Sequence, residues 1–173
     1  MLQIEALQVL FAEYPETRET VTLVMVGGVR GPQDLRIVED VRALITKMGL
    51  ESHVRIIQNA SFSDLNILLE SCSIGLHTMT NEHFGISVVE YMAAGLIPIA
   101  HNSGGPAADI ISSAKYGYLA TSKEDYAQCI YEAISLPNEK QHLMRSAARK
   151  HVHDRFSDAT FAKRFIECLC EVC

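Results

Sequence analysis

The feature that most limits the fold is an alternation of short, unbroken apolar runs with longer segments of helical periodicity. Five stretches read as strands: Val21 to Val26, His53 to Ile57, Ser73 to His77, Leu96 to Ala100 and Gly117 to Leu119. Short runs that are apolar on both faces suit a parallel sheet, which is covered on either side. Ile4, Leu7, Gln8, Leu10 and Phe11 mark a first helix that ends by Pro15. Leu35, Val38, Val41, Leu44, Ile45 and Met48 share one face of a second, with Gly49 as its C-cap. Ser61-x-x-Asp64 and Ser122-x-x-Asp125 have capping-box spacing and open two more. A helix over 139–151 follows, and Ser157 opens a last amphipathic one carrying Phe161, Phe165, Ile166 and Leu169. The alternation predicts an α/β fold in one domain, residues 1–173: a Rossmann-like parallel sheet with helices on both faces.

Composition narrows the function. At 173 residues and 48% hydrophobic the chain can bury a core, and a net charge of −6 argues against a nucleic-acid binder. No basic segment follows Met1, so no signal peptide is expected. The longest apolar run, Met92 to Ala100, holds Gly and Pro and falls well short of the roughly 20 residues a membrane span needs. A soluble chain is expected. The last helices are richer in Lys and Arg, which reads as a solvated face or a weak contact with anions. Five cysteines in no framework spacing suit reduced thiols. Cys168, Cys170 and Cys173, with His151 and His153 upstream, admit a zinc reading but lack paired Cys-x2-Cys units; no metal is expected.

The densest chemistry lies between Asn81 and Gly95. Glu82 falls in the loop beyond a strand's carboxyl end, and Glu90 about two turns into a helix starting near Gly85 with Val88, Val89, Met92 and Ala93 on one face. In open α/β sheets that crevice binds ligands. The backbone amides of Phe84, Gly85 and Ile86 at a helix start suit a phosphate oxygen. An ionised Glu accepts hydrogen bonds from two neighbouring hydroxyls. Phosphate with sugar hydroxyls points to a sugar nucleotide. The plainer alternative is a solvated loop acid and an exposed helix acid.

Glu82-x7-Glu90 enclosing Phe84-Gly85, followed by Ala94-Gly95 and Ser103-Gly104-Gly105-Pro106, resembles the signature of the retaining glycosyltransferases of GT-B fold. Residues 74–79, 81–86 and 100–106 are most similar to the branch that transfers α-1,2-mannose from GDP-mannose to the dolichol-linked oligosaccharide of N-glycan precursor assembly. That reaction runs on the cytosolic face of the endoplasmic reticulum. The resemblance runs from Leu2 to about Phe161 and implies a C-terminal, donor-binding half. It implies that Glu82 is the catalytic residue contacting the transferred sugar, and that His83, Phe84, Gly85 and Ile86 meet sugar and diphosphate. Glu90 would hold both ribose hydroxyls, and Asn59 lies in the loop that binds the base. Retention by front-face attack needs no protein nucleophile, metal or other cofactor. Ser103, Gly104 and Gly105 either cradle an oxygen or form a tight turn before Pro106. His77 and His101 end strands at the same crevice, as ligand contacts or as structural histidines. Asp109 stands where many relatives have Glu.

One departure is visible. In the family a strand, then a loop with diphosphate-binding Arg and Lys, precede the helix that matches Ile4 to Phe11; here the chain starts inside that helix. A sheet lacking its central strand is expected to show unpaired edges or to close the gap. Without those cations the chain alone is expected to be inactive. Its partners would be a sugar nucleotide and, through an N-terminal domain and membrane contact of the longer parent, a lipid-linked acceptor. The alternative is a non-catalytic fragment that binds nucleotide or a protein partner. A generic dinucleotide protein is disfavoured, since no Gly-x-Gly-x-x-Gly follows a strand.

Overall fold

The computed structural model describes residues 1–172. In chain order the elements are α1 (Leu2–Glu13), a 3-10 turn (Pro15–Glu19), β1 (Leu23–Gly27), α2 (Pro32–Lys47), β2 (Val54–Gln58), α3 (Phe62–Ser71) and β3 (Ile74–His77). There follow α4 (Ile86–Ala94), β4 (Ile97–His101), a π-helical turn (Pro106–Ile110), β5 (Tyr118–Ala120), α5 (Lys123–Ser135), α6 (Asn138–Phe156) and α7 (Asp158–Val172). The predicted strands and helices are all present, so the α/β expectation holds. They gather into two compact units: Met1–Ser71 with Ala120–Ser135, and Cys72–Leu119 with the chain from Leu136 onward.

The core of the first unit is α1 against α5. Ile4, Ala6, Leu7, Leu10 and Phe11 are buried on one helix and Tyr126, Ala127, Ile130 and Ala133 on the other. Gln8, expected on this face, is exposed. β1 and β2 pair in parallel, Leu23 opposite Val54 through Gly27 opposite Gln58. Of the stripe predicted on α2 only Ile45 is buried, and Leu35 is exposed, because a two-stranded sheet offers little face to cover it. Both capping boxes form. Ser61 Oγ accepts the Asp64 N–H and Asp64 Oδ2 accepts the Ser61 N–H; Ser122 and Asp125 do the same.

In the second unit the strand order is β3-β4-β5, with β3 parallel to β4, Ile74 opposite Ile97 and His77 opposite Ala100. Every residue of β4 is buried, as an unbroken apolar run requires. Val88 and Met92 of α4 pack with Ala100, Ile110, Ile111 and, from α6, Ala148 and Val152. Ala93 is exposed, and Val89 only partly covered. α6 runs past its predicted end at His151 to Phe156 because Val152 continues its buried stripe. Pro106 opens the π-helical turn. On α7 the apolar residues Phe161, Phe165, Ile166 and Leu169 are all exposed. β1 and β3 are each the outer strand of a sheet, the unpaired-edge outcome expected from the sequence. No helix among the described residues is long and apolar enough to cross a membrane.

Candidate functional site

Everything distinctive in the second unit converges on the turn between β3 and α4. Asn81 sits at φ +54, and Gly85, the residue before α4, at φ +101, a conformation that favours glycine. Gly85 is also in close quarters, for a Cβ there would lie 2.8 Å from Pro106 Cγ. Its left-handed turn lets the Gly85 carbonyl accept the N–H groups of Val88 and Val89. The amides of Phe84, Gly85, Ile86 and Ser87 find no acceptor among the described residues, and no side chain caps them. The first three are the donors the sequence pointed to, at the positive end of a helix, and Ser87 adds a fourth.

Of the two carboxylates, Glu82 lies in the turn before this helix start and Glu90 inside α4. Glu82 is half-buried and Glu90 exposed, and among the described residues neither forms an ion pair. Both are free to accept hydroxyl donors. His83 and Ile86 are exposed. The Phe84 ring, 42% of that residue being exposed, meets Phe156 edge-on at 5.6 Å, which fastens the turn to the end of α6.

The loop after β4 frames the turn from behind. The Gly105 N–H donates to the Glu82 carbonyl at 2.8 Å, and Ser103 Oγ accepts the Asn81 N–H at 2.9 Å. A Cβ on Gly104 would fall on the Glu82 carbonyl oxygen, and one on Gly105 on the carbonyls of His83 and Phe84. Ser103, Gly104 and Gly105 thus lie backbone to backbone against residues 81–84. Sequence reasoning weighed an oxygen cradle against a tight turn and missed this frame; adjacent glycines before Pro106 are the signal of close approach it had. Further along, the Asp109 side chain is exposed while its carbonyl accepts the Arg155 guanidinium.

His77 and His101, at the ends of β3 and β4, are both buried. Burial lowers the pKa of His77 below the ordinary histidine value, a shift opposed by the Glu82 carboxylate and reinforced by His101. His101 Nδ1 shares a 2.8 Å hydrogen bond with Ser103 Oγ. At its far end α4 stops at Gly95, φ +87, where Arg149 of α6 donates Nε to the Ala93 carbonyl and Nη2 to the Ala94 carbonyl, both at 2.9 Å.

Asn59 belongs to the first unit. At φ +53 it donates its N–H to the Gly27 carbonyl, and its Oδ1 accepts the Val29 N–H at 2.7 Å, so it ties together the ends of β1 and β2. Cys168 and Cys170 are exposed on α7, and Cys173 lies outside the described residues. No group of three His, Cys, Asp or Glu side chains suited to a metal occurs among the described residues.

Comparison with known proteins joins this geometry to a family. The family model described as glycosyl transferases group 1 matches residues 2–151. The chain is 43% identical to the GDP-Man:Man(3)GlcNAc(2)-PP-Dol alpha-1,2-mannosyltransferase of Dictyostelium discoideum over 96% of its own length and 33% of that protein's. The Homo sapiens protein of the same name is also 43% identical, over 95% of this chain and 34% of the relative. The chain therefore spans about a third of the curated relatives it matches. Among solved structures, a glycosyltransferase from Rickettsia africae superposes with a TM-score of 0.84 at 24% identity, covering 99% of this chain and 43% of that one; this likeness concerns the fold. Anabaena HepE, solved with UDP and glucose, gives 0.81 at 26% identity over 96% of this chain and 44% of its own. By its matched residues and its fold, this chain is a member of the glycosyl transferases group 1 family, with the GT-B type of α/β architecture.

Proposed function

We propose that this chain is the donor-binding portion of a retaining mannosyltransferase, and that its longer parent moves α-1,2-mannose from GDP-mannose to a dolichol-linked oligosaccharide on the cytosolic face of the endoplasmic reticulum. The observation that carries the reading is the start of α4: four amides without acceptors among the described residues, preceded by Glu82, followed along the helix by Glu90, and framed by Ser103, Gly104 and Gly105. Amides at a helix start take diphosphate oxygens, Glu82 accepts the mannose hydroxyls, and Glu90 accepts both ribose hydroxyls. The identity to named mannosyltransferases supports mannose as the sugar. Because the match covers a third of those relatives, the acceptor is assigned to the remainder of the parent, and this chain by itself is expected to bind donor without transferring it.

Calorimetric titration with GDP and GDP-mannose tests this. Saturable binding, weakened at least tenfold by Glu90→Ala through loss of a charged hydrogen-bond acceptor, is the expected result. Glu90 is exposed and unpaired, so its removal leaves the fold unchanged. A natively folded chain that binds neither ligand would overturn the donor reading and favour the interaction-fragment alternative.

A further inference from the structure

We propose that His101 is a positioning residue that, through Ser103, sets the geometry of the Glu82 turn; its effect on ligand binding rests on the donor-site reading above. Three atoms carry the argument. Asn81 holds a left-handed backbone at φ +54, which asparagine adopts more readily than other side-chain-bearing residues, so the turn is set by what its N–H meets. Its N–H donates to Ser103 Oγ at 2.9 Å, and that same oxygen lies 2.8 Å from Nδ1 of His101. The acceptor role of Oγ toward Asn81 is fixed, because a backbone N–H can only donate.

The hydroxyl proton then decides the rest. If Nδ1 carried a proton, Oγ would accept twice and its own hydrogen would have no protein acceptor among the described residues. With Nδ1 bare, the hydroxyl donates to the ring while Oγ accepts the Asn81 N–H, so the oxygen uses both roles. His101 is accordingly the Nε2–H tautomer, and the chain runs Asn81 N–H to Ser103 O–H to His101 Nδ1. Only 7% of His101 is exposed, so the ring gives the hydroxyl a fixed target. A second attachment, the Gly105 N–H on the Glu82 carbonyl, closes the frame on the next residue.

The test uses the whole chain and two readouts. Nitrogen-15 spectra of the imidazoles are expected to show Nδ1 unprotonated and Nε2 protonated at His101 in the wild type. Ser103→Ala removes one hydroxyl and should fold. It is expected to speed hydrogen exchange of the Asn81 amide roughly fivefold to tenfold, the factor set by one lost hydrogen bond. GDP-mannose binding is expected to weaken by a similar factor, and Ser103→Thr, which restores the hydroxyl, to recover both. His101→Asn, whose Oδ1 replaces Nδ1 as acceptor, should keep the slow exchange that His101→Leu loses. An Nδ1-protonated tautomer, or unchanged Asn81 exchange in Ser103→Ala, overturns the proposal. These readouts come from the ligand-free chain. Failure of the donor reading appears separately, as absence of GDP-mannose binding to a wild type whose exchange and tautomer are as expected.

Discussion

Replacing Arg149 by Ala should loosen the far end of the helix that carries Glu90. α4 has no basic residue in its own last turn, so the guanidinium from α6 supplies donors to the Ala93 and Ala94 carbonyls at the negative end of the helix. Charged hydrogen bonds are worth about 1.5–3 kcal/mol when enclosed; Arg149 is exposed, so the pair together contributes roughly 1–2 kcal/mol. Gly95→Ala attacks the same contact from the other side. Its Cβ would lie 2.6 Å from Arg149 Nη2, and φ +87 adds roughly 1–2 kcal/mol of backbone strain. Since that Cβ displaces the guanidinium, Gly95→Ala already contains the loss of Arg149. The double variant should therefore be about as unstable as Gly95→Ala alone, with a coupling of roughly 1–2 kcal/mol. Urea unfolding followed by circular dichroism measures all four species. Additivity of the two single effects within about 0.5 kcal/mol would refute the cap.

Other expectations follow from the same packing. Gly105→Ala drives a Cβ onto the carbonyls of His83 and Phe84, so it should lower the melting temperature and abolish nucleotide binding together; a variant that keeps wild-type affinity contradicts the backbone frame. His77 and His151 both have lowered pKa values, burial being the largest cause in each, so the folded state resists their protonation. Their stabilisation is complete above the unfolded value of 6.5 and is lost as pH falls through the lower folded values, giving a melting temperature that drops on the acid side. A His77→Gln, His151→Gln double variant should show a shallower drop. Burial pushes the Cys129 thiol up to about 11, while Cys168 and Cys170 are exposed; alkylation at pH 8 read by mass spectrometry should label the latter pair first.

What was legible in the sequence was whatever leaves a local or periodic trace. β4 was readable as an unbroken apolar run, the capping boxes at Ser61 and Ser122 by their spacing, and the stop of α2 by Gly49. Glu82, Glu90 and the amides at Gly85 were placed at a helix start by the same signals. The frame behind them was not legible, because contact between residues 81–84 and 103–105 joins two loops that share no period. Arg149 was equally hidden: nothing in α6 distinguishes a basic side chain that caps another helix from one in water. The stripes on α2 and α7 were visible as patterns, but a pattern says that a face is apolar and leaves open what covers it.

The outer position of β1 has a consequence for handling the protein. Leu23-Val24-Met25-Val26-Gly27 carries no charge, no proline and no bulge, the usual devices that keep a sheet edge from recruiting another chain. With Val26 exposed beside it, the strand is a template for self-association. Concentrated solutions should form oligomers by edge pairing before the chain unfolds, and a lysine placed at Val26 is the least invasive way to keep it monomeric.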